Sequence, residues 1–140
     1  MKIVLDSNVF ISGIFWRDKP HDIIKLAETG KVQICVSNEI LDELFGVLQR
    51  QKFNYLFEEA SISRETVFQK ILELVTICAV SERDKNINIA LADPKDKMFL
   101  SCALASGAVF IVSDDKHLLA LKNFRSVPIL TSSQFLNKLK

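Results

Sequence analysis

Four carboxylates stand where apolar runs give way to polar residues: Asp6 after Ile3-Val4-Leu5, Glu43 beside the apolar seam of a helix, Asp96 within DPKD, and Asp115 within VSDDK. The densest acidic stretch runs from Leu91 to Leu119 and holds two of them. Carboxylates brought together in one pocket repel unless they are protonated or bridged by a cation, and hard oxygen ligands select Mg²⁺ or Mn²⁺. A divalent cation in such a site activates water and stabilises charge on phosphate oxygens, which makes phosphodiester hydrolysis the leading reaction.

Each acid also has a simpler reading. Asp6 ends a strand and is well placed to cap the next helix. Glu43, on a helix, is explained by solvation alone. Asp93 before Pro94 has the form of an N-cap with proline at N1, and Asp96 at N3 gains from the helix dipole without any metal. Asp114 or Asp115 caps the helix that follows, although two adjacent acids exceed what one cap requires. The metal reading rests on the coincidence of all four places.

The elements that must position these acids follow from periodicity. Ile3–Leu5 and Val109–Val112 are short runs apolar at every position, as in strands covered on both faces of a parallel sheet, and each ends in acids. In an open parallel sheet ligands bind beyond the carboxyl ends of the strands, where strand order reverses, so the two endings are expected to face one another. Between them the pattern predicts a short helix or turn over Val9–Phe15 and a helix from Pro20 to Gly30. A strand over Val32–Val36 comes next, then a Ser37-capped helix with Ile40, Leu41, Leu44, Val47 and Leu48 on its stripe. Glu39, Asp42, Glu43 and Gly46 lie off that stripe. An aromatic helix near Phe53–Phe57, a helix begun by Ser63, a strand near Ile77–Val80 and a loop over Ser81–Asn88 lead to Asp93. Met98, Phe99, Cys102, Ala103 and Ala105 then mark a helix closed by Gly107. Past Asp115 come a short helix over Leu118–Leu121, a strand over Val127–Leu130 and a terminal helix opened by a Thr131/Gln134 capping box. This order predicts an α/β sheet with helices on both faces.

The 140 residues suit a single domain spanning 1–140, with 49% hydrophobic and 25% charged residues. A net charge of +1 leaves any basic surface local. No apolar run approaches membrane-spanning length, and the MKIVLD start has no signal-like apolar region, so a cytoplasmic protein is expected. Cys35, Cys78 and Cys102 are odd in number and set among apolar neighbours, which suits reduced core thiols. With no CxxC and only His21 and His117, a structural zinc site is not expected.

Four ordered segments, LDSNVFIS at Leu5–Ser12, SNEILDELFGVL at Ser37–Leu48, DPKDKMFLSCAL at Asp93–Leu104 and VSDDKHLL at Val112–Leu119, resemble the PIN-domain nucleases. The likeness extends over nearly the whole chain. It is strongest to the small prokaryotic PIN proteins assigned as toxin components of toxin–antitoxin pairs. The resemblance implies a three-layer α/β/α fold with a parallel five-stranded sheet of order 3-2-1-4-5. It further implies a Mg²⁺- or Mn²⁺-dependent endoribonuclease that cuts single-stranded RNA, a cognate antitoxin as partner, and a homodimer. Asp6, Glu43, Asp96 and Asp115 match the family's acidic quartet, and Ser7, Asn8 and Ser113 match its supporting polar residues. Where the family commonly has Thr-x-Asp, this chain has Ser113-Asp114-Asp115, which leaves Asp114 as the alternative fourth ligand. Lys97, Lys116 and His117 beside the acidic turns, with Arg50 and Lys52 after the Glu43 helix, are candidate phosphate contacts; solvated surface charge is the competing reading for each.

Other classes fit less well. An aspartyl-nucleophile phosphatase of the haloacid dehalogenase type needs a second acid two residues after the first, where Asn8 stands. A receiver-like module needs an acceptor Asp after the third strand and a Lys after the fifth, and the chain has Ser81 and Thr131 there. The four glycines never form GxGxxG, so dinucleotide binding is not indicated. The main rival is a non-cleaving PIN-fold RNA-binding or scaffold protein.

Overall fold

Ile3, Val4 and Leu5 are fully or almost fully buried because β1 (Lys2–Leu5) lies at the centre of the sheet. The computed structural model describes residues 1–140. On one side β1 pairs in parallel with β2 (Gln33–Val36), and β2 with β3 (Val75–Ile77). On the other side β1 pairs in parallel with β4 (Phe110–Val112), and β4 with β6 (Val127–Leu130). A sixth strand, β5 (Asn123–Phe124), pairs antiparallel with β6, so the full order is β3-β2-β1-β4-β6-β5. The five parallel strands take the expected order, and the all-parallel expectation is corrected by this two-residue edge. Its cause is a tight hairpin in which Arg125 and Ser126 both have positive φ, 47° and 70°. Such a turn usually carries Asn or Gly, and neither is present to signal it.

The helices are α1 (Ser7–Phe15), α2 (Lys19–Glu28), α3 (Asn38–Leu48), α4 (Asn54–Ala60) and α5 (Arg64–Leu74), followed by α6 (Glu82–Lys85), α7 (Lys97–Ser106), α8 (Lys116–Leu119) and α9 (Ser132–Lys138). Ser37 and Ser63 cap α3 and α5 through their side chains, and Gly107 closes α7 with φ 72°. The Thr131/Gln134 capping box forms as expected. Several local expectations shift. Strand β4 begins at Phe110 and leaves Val109 outside it, 47% exposed. Strand β3 begins two residues early, because α5 runs straight into the β-branched Val75-Thr76-Ile77. The Ser81–Asn88 loop holds the one-turn α6, whose cap is Ser81 accepting from the Asp84 N–H at 3.2 Å. Helix α8 starts at Lys116 because Asp115 caps it.

The apolar faces of these elements enclose a continuous core of 32 buried side chains, with Phe10 and Phe135 the largest among those fully buried. Helices α1 and α2 cross closely at Gly13, where a Cβ would stand 2.6 Å from Ile24 Cγ1 and 2.7 Å from the Pro20 carbonyl oxygen. His21 Nδ1 lies 2.8 Å from the Gly13 carbonyl oxygen at this crossing. The three cysteines are free thiols, two of them fully buried. No helix is long and apolar enough to cross a membrane.

Candidate active site

The register Leu5↔Val112 sets the ends of β1 and β4 side by side, and the Asp6 N–H donates to the Val112 carbonyl at 3.0 Å. The chain leaves β1 toward β2 on one side and reaches β4 on the other, so this is the switch point of the sheet. Asp6 is 4% exposed. Its Oδ1 accepts from the Val9 N–H at 2.8 Å, capping α1, and its Oδ2 accepts from the hydroxyl of the fully buried Ser113. Ser113 Oγ in turn accepts from the Asp115 N–H at 3.0 Å. One serine therefore ties the two strand ends together, orienting the Asp6 carboxylate and anchoring the Asp115 backbone.

Asp96 closes a 3₁₀ turn, Pro94–Asp96, that leads into α7, and it is buried. Asp93 opens that turn, its carboxylate accepting from the Lys95 N–H at 3.0 Å. Glu43 projects from the middle of α3, 3.9 Å from Arg50 Nη2. Asp6, Glu43, Asp96 and Asp115 line one cleft of about 240 Å³, together with Ser7, Asn8, Asp93, Arg50 and Lys95.

The electrostatics of the cleft are those of crowded, partly dehydrated acids. Burial pushes Asp6 up to about 6; hydrogen bonds from Ser113 and Val9 oppose the rise, and the charges of Asp114 and Asp115 add to it. Burial also raises Asp96, helped by the negative charges of Asp115 and Asp93 and offset by His117. Both groups would gain from a nearby cation. The Ser7 hydroxyl is buried at the cleft without any hydrogen-bond partner. An unpaired buried hydroxyl is costly, so Ser7 fits a site that receives a polar guest.

These donors suit Mg²⁺ or Mn²⁺ chemically, being hard oxygens. No three His, Cys, Asp or Glu side chains are close enough to form a ready-made cation cage. The two cations at the cleft, Arg50 and Lys95, balance part of the negative charge.

The other residues singled out from sequence separate clearly. Asp114 turns away from the cleft and accepts from the N–H and Oγ of Ser132 at 3.0 and 2.8 Å, at the start of α9. Asp115 lines the cleft while its Oδ1 accepts from the His117 N–H at 2.8 Å. Arg50 reaches the cleft, whereas Lys52 sits over the Phe53 ring, 5.1 Å from its centroid. Lys97 lines a neighbouring groove, and Lys116 and His117 are exposed on α8. Lys95 is the cleft cation that sequence reasoning missed. Its only signal was its place between Asp93 and Asp96 in a turn too tight for regular helical spacing.

A model of the PIN domain matches residues 2–117. The chain belongs to the PIN-domain family. Among solved structures, this PIN domain is similar to VapBC2 from Rickettsia felis, described bound to a DNA fragment from its promoter. That match has TM-score 0.63 and 17% identity over 94% of this chain and 98% of that one. It is also similar to PAE2754 from Pyrobaculum aerophilum, with TM-score 0.53 and 15% identity over 99% of this chain and 88% of the other. At these identities the likeness is one of fold. No curated protein matches the chain.

Proposed function

We propose that this PIN domain is a Mg²⁺- or Mn²⁺-dependent endoribonuclease that hydrolyses phosphodiester bonds of single-stranded RNA. The observation that carries the reading is the convergence of Asp6, Glu43, Asp96 and Asp115 on one cleft at the switch point of the sheet. Membership of a family typically made of nucleases supports it. Carboxylates of this cleft would hold the cation, which when bound would supply acidified water and charge stabilisation on the phosphate oxygens.

The chain's own residues do the rest. Ser113 and the Val9 N–H fix the Asp6 carboxylate in one orientation, so the acid need not reorganise when charge arrives. Arg50 and Lys95 at the cleft attract and orient the phosphate, and Ser7 offers its unpaired hydroxyl to a phosphate oxygen or water. The family resemblance together with the VapBC2 fold supports a biological role as the toxin of a type II toxin–antitoxin pair in the cytoplasm. A cognate antitoxin and a second copy of the chain are then the protein partners. The 39% exposed Trp16, edge-on to Phe15 at 6.1 Å, offers them apolar area.

The test is cleavage of labelled single-stranded RNA by partner-free protein with added Mg²⁺ or Mn²⁺. Activity that disappears in Asp6→Asn, in Asp96→Asn and on chelation supports the reading. RNA that is bound but never cut under any metal condition returns the protein to the non-cleaving binding class. Co-purification of a small partner from the native operon tests the antitoxin.

A further inference from the structure

Beside the acidic cleft lies a second groove of about 300 Å³, and the two share Lys95 and Met98 as a common wall. Its charge is opposite in sign to that of the cleft. Lys85 from α6 and Lys95 and Lys97 around the 3₁₀ turn face it, against the single carboxylate of Glu39, an excess of two positive charges. Buried Ser101 lies at its floor. Lys95 and Lys97 stand in no ion pair, and Lys85 has only the weak, exposed contact with Glu82 at 3.8 Å. Helix α3 borders both spaces: Glu39 faces the groove and Glu43, one turn later, faces the cleft. The two sites are thus offset along α3 by a rise of about 6 Å.

We infer that this groove is a subsite for the sugar–phosphate backbone next to the scissile bond, with Lys85 and Lys97 taking phosphates that flank the one bound in the acidic cleft. The inference rests on the nuclease reading above. An acidic cleft alone repels a polyanion, and a strand lying across it needs cations beside the cleft to hold its neighbouring phosphates. Arg50 provides one at the far end of α3, and the lysine groove provides the other side. Lysines suit this task because they neutralise phosphate as mobile point charges without demanding a particular base. The groove therefore predicts affinity for the backbone and little sequence preference.

The test is fluorescence anisotropy of a labelled single-stranded RNA of about 12 nucleotides, within the range of single-strand site sizes. It is read over a salt series with full-length protein carrying Asp6→Asn so that no strand is cut. Adding Lys85→Gln and Lys97→Gln should lower the slope of log affinity against log salt by about 1.4, or about 25-fold in affinity at 0.1 M salt, the curves meeting near 1 M. Glu39→Gln should tighten binding at low salt. The control pair Lys31→Gln and Lys70→Gln, both exposed and remote from cleft and groove, should leave the slope nearly unchanged. A groove variant whose slope equals that of the control pair, or a parent protein that binds no RNA, overturns the inference. Metal-dependent cleavage by the wild-type chain is measured separately: cleavage with an unaltered groove slope removes the subsite alone, and absence of both cleavage and binding removes the nuclease reading with it.

Discussion

Replacing Asp6 by Asn should stabilise the metal-free protein at neutral pH, although it removes a buried carboxylate with two hydrogen-bond donors, the Val9 N–H and the Ser113 hydroxyl. Asp6 titrates near 6 in the folded chain against 3.8 as an ordinary side chain, because burial penalises its charge more than Ser113 and Val9 relieve it. Between those values the folded state keeps a proton that the unfolded state has lost, so stability falls as pH rises through the window and levels off above it. That rise from 3.8 to about 6 corresponds to about 3 kcal/mol lost to the ionised carboxylate. Asparagine carries no charge and keeps an oxygen for the Val9 N–H. It forces the Ser113 hydroxyl to surrender a charged acceptor, at a cost of about 1 kcal/mol. The variant should then be more stable than wild type by about 1 to 2 kcal/mol near pH 8, with the advantage gone or reversed near pH 4. Urea unfolding in chelator at the two pH values measures the difference directly. Excess Mn²⁺ should stabilise the wild type by about 2.7 kcal/mol at a hundred times its dissociation constant and leave the variant where it was. A stability difference that is the same at both pH values refutes the account of a cleft strained by dehydrated charge.

Ser113→Ala should act in the opposite direction, leaving Asp6 Oδ2 and the Asp115 N–H without their partner at a cost of about 2 to 3 kcal/mol near pH 8. Urea titrations of this variant should also move the Asp6 titration upward, since a hydrogen bond that favours the charged form is gone. Gly13→Ala places a methyl within 2.7 Å of the Pro20 carbonyl oxygen and closer still to Ile24, which should cost about 1 to 3 kcal/mol in thermal or urea melts. Converting Arg125-Ser126 to Asn-Gly keeps the positive φ values of the hairpin with residues that tolerate them, and should raise stability by about 1 kcal/mol.

The layout of the fold was legible because burial writes itself into the sequence. Ile3–Leu5 and, within the expected Val109–Val112 run, Phe110–Val112 are apolar at successive positions since both faces of β1 and β4 are covered, the pattern of a parallel sheet, whereas Val109 lies outside β4 and is 47% exposed. Ser37, Ser63, Thr131 and Gly107 declared the helix ends by their side chains or by the lack of one. What stayed hidden had no such chemical mark. Strand β5 exists only because Arg125 and Ser126 accept left-handed conformations, which residue preference argues against and which the β6 edge repays with pairing. Strand β3 could not be placed to the residue because Val75 continues the apolar pattern of α5 without a glycine or proline between them.

At the site, the sequence posed helix cap and cleft acid as alternatives, and the geometry shows that one carboxylate can do both. Asp6 spends Oδ1 on the Val9 N–H and Oδ2 on Ser113 while lining the cleft. Asp115 spends only Oδ1 on the His117 N–H, which leaves Oδ2 for a guest. In the DPKD turn the tasks fall to different residues, Asp93 capping through the Lys95 N–H and Asp96 buried against the cleft. The choice between Asp114 and Asp115 needed the third dimension, because what draws Asp114 away is Ser132, eighteen residues on at the start of α9. That capture has a consequence for the cleft. It fixes the Asp114 carboxylate on donors of its own at α9, yet its charge still reaches Asp6 and adds, with that of Asp115, to the rise that burial causes, so the Ser132 capture removes Asp114 from the cleft lining without removing its field.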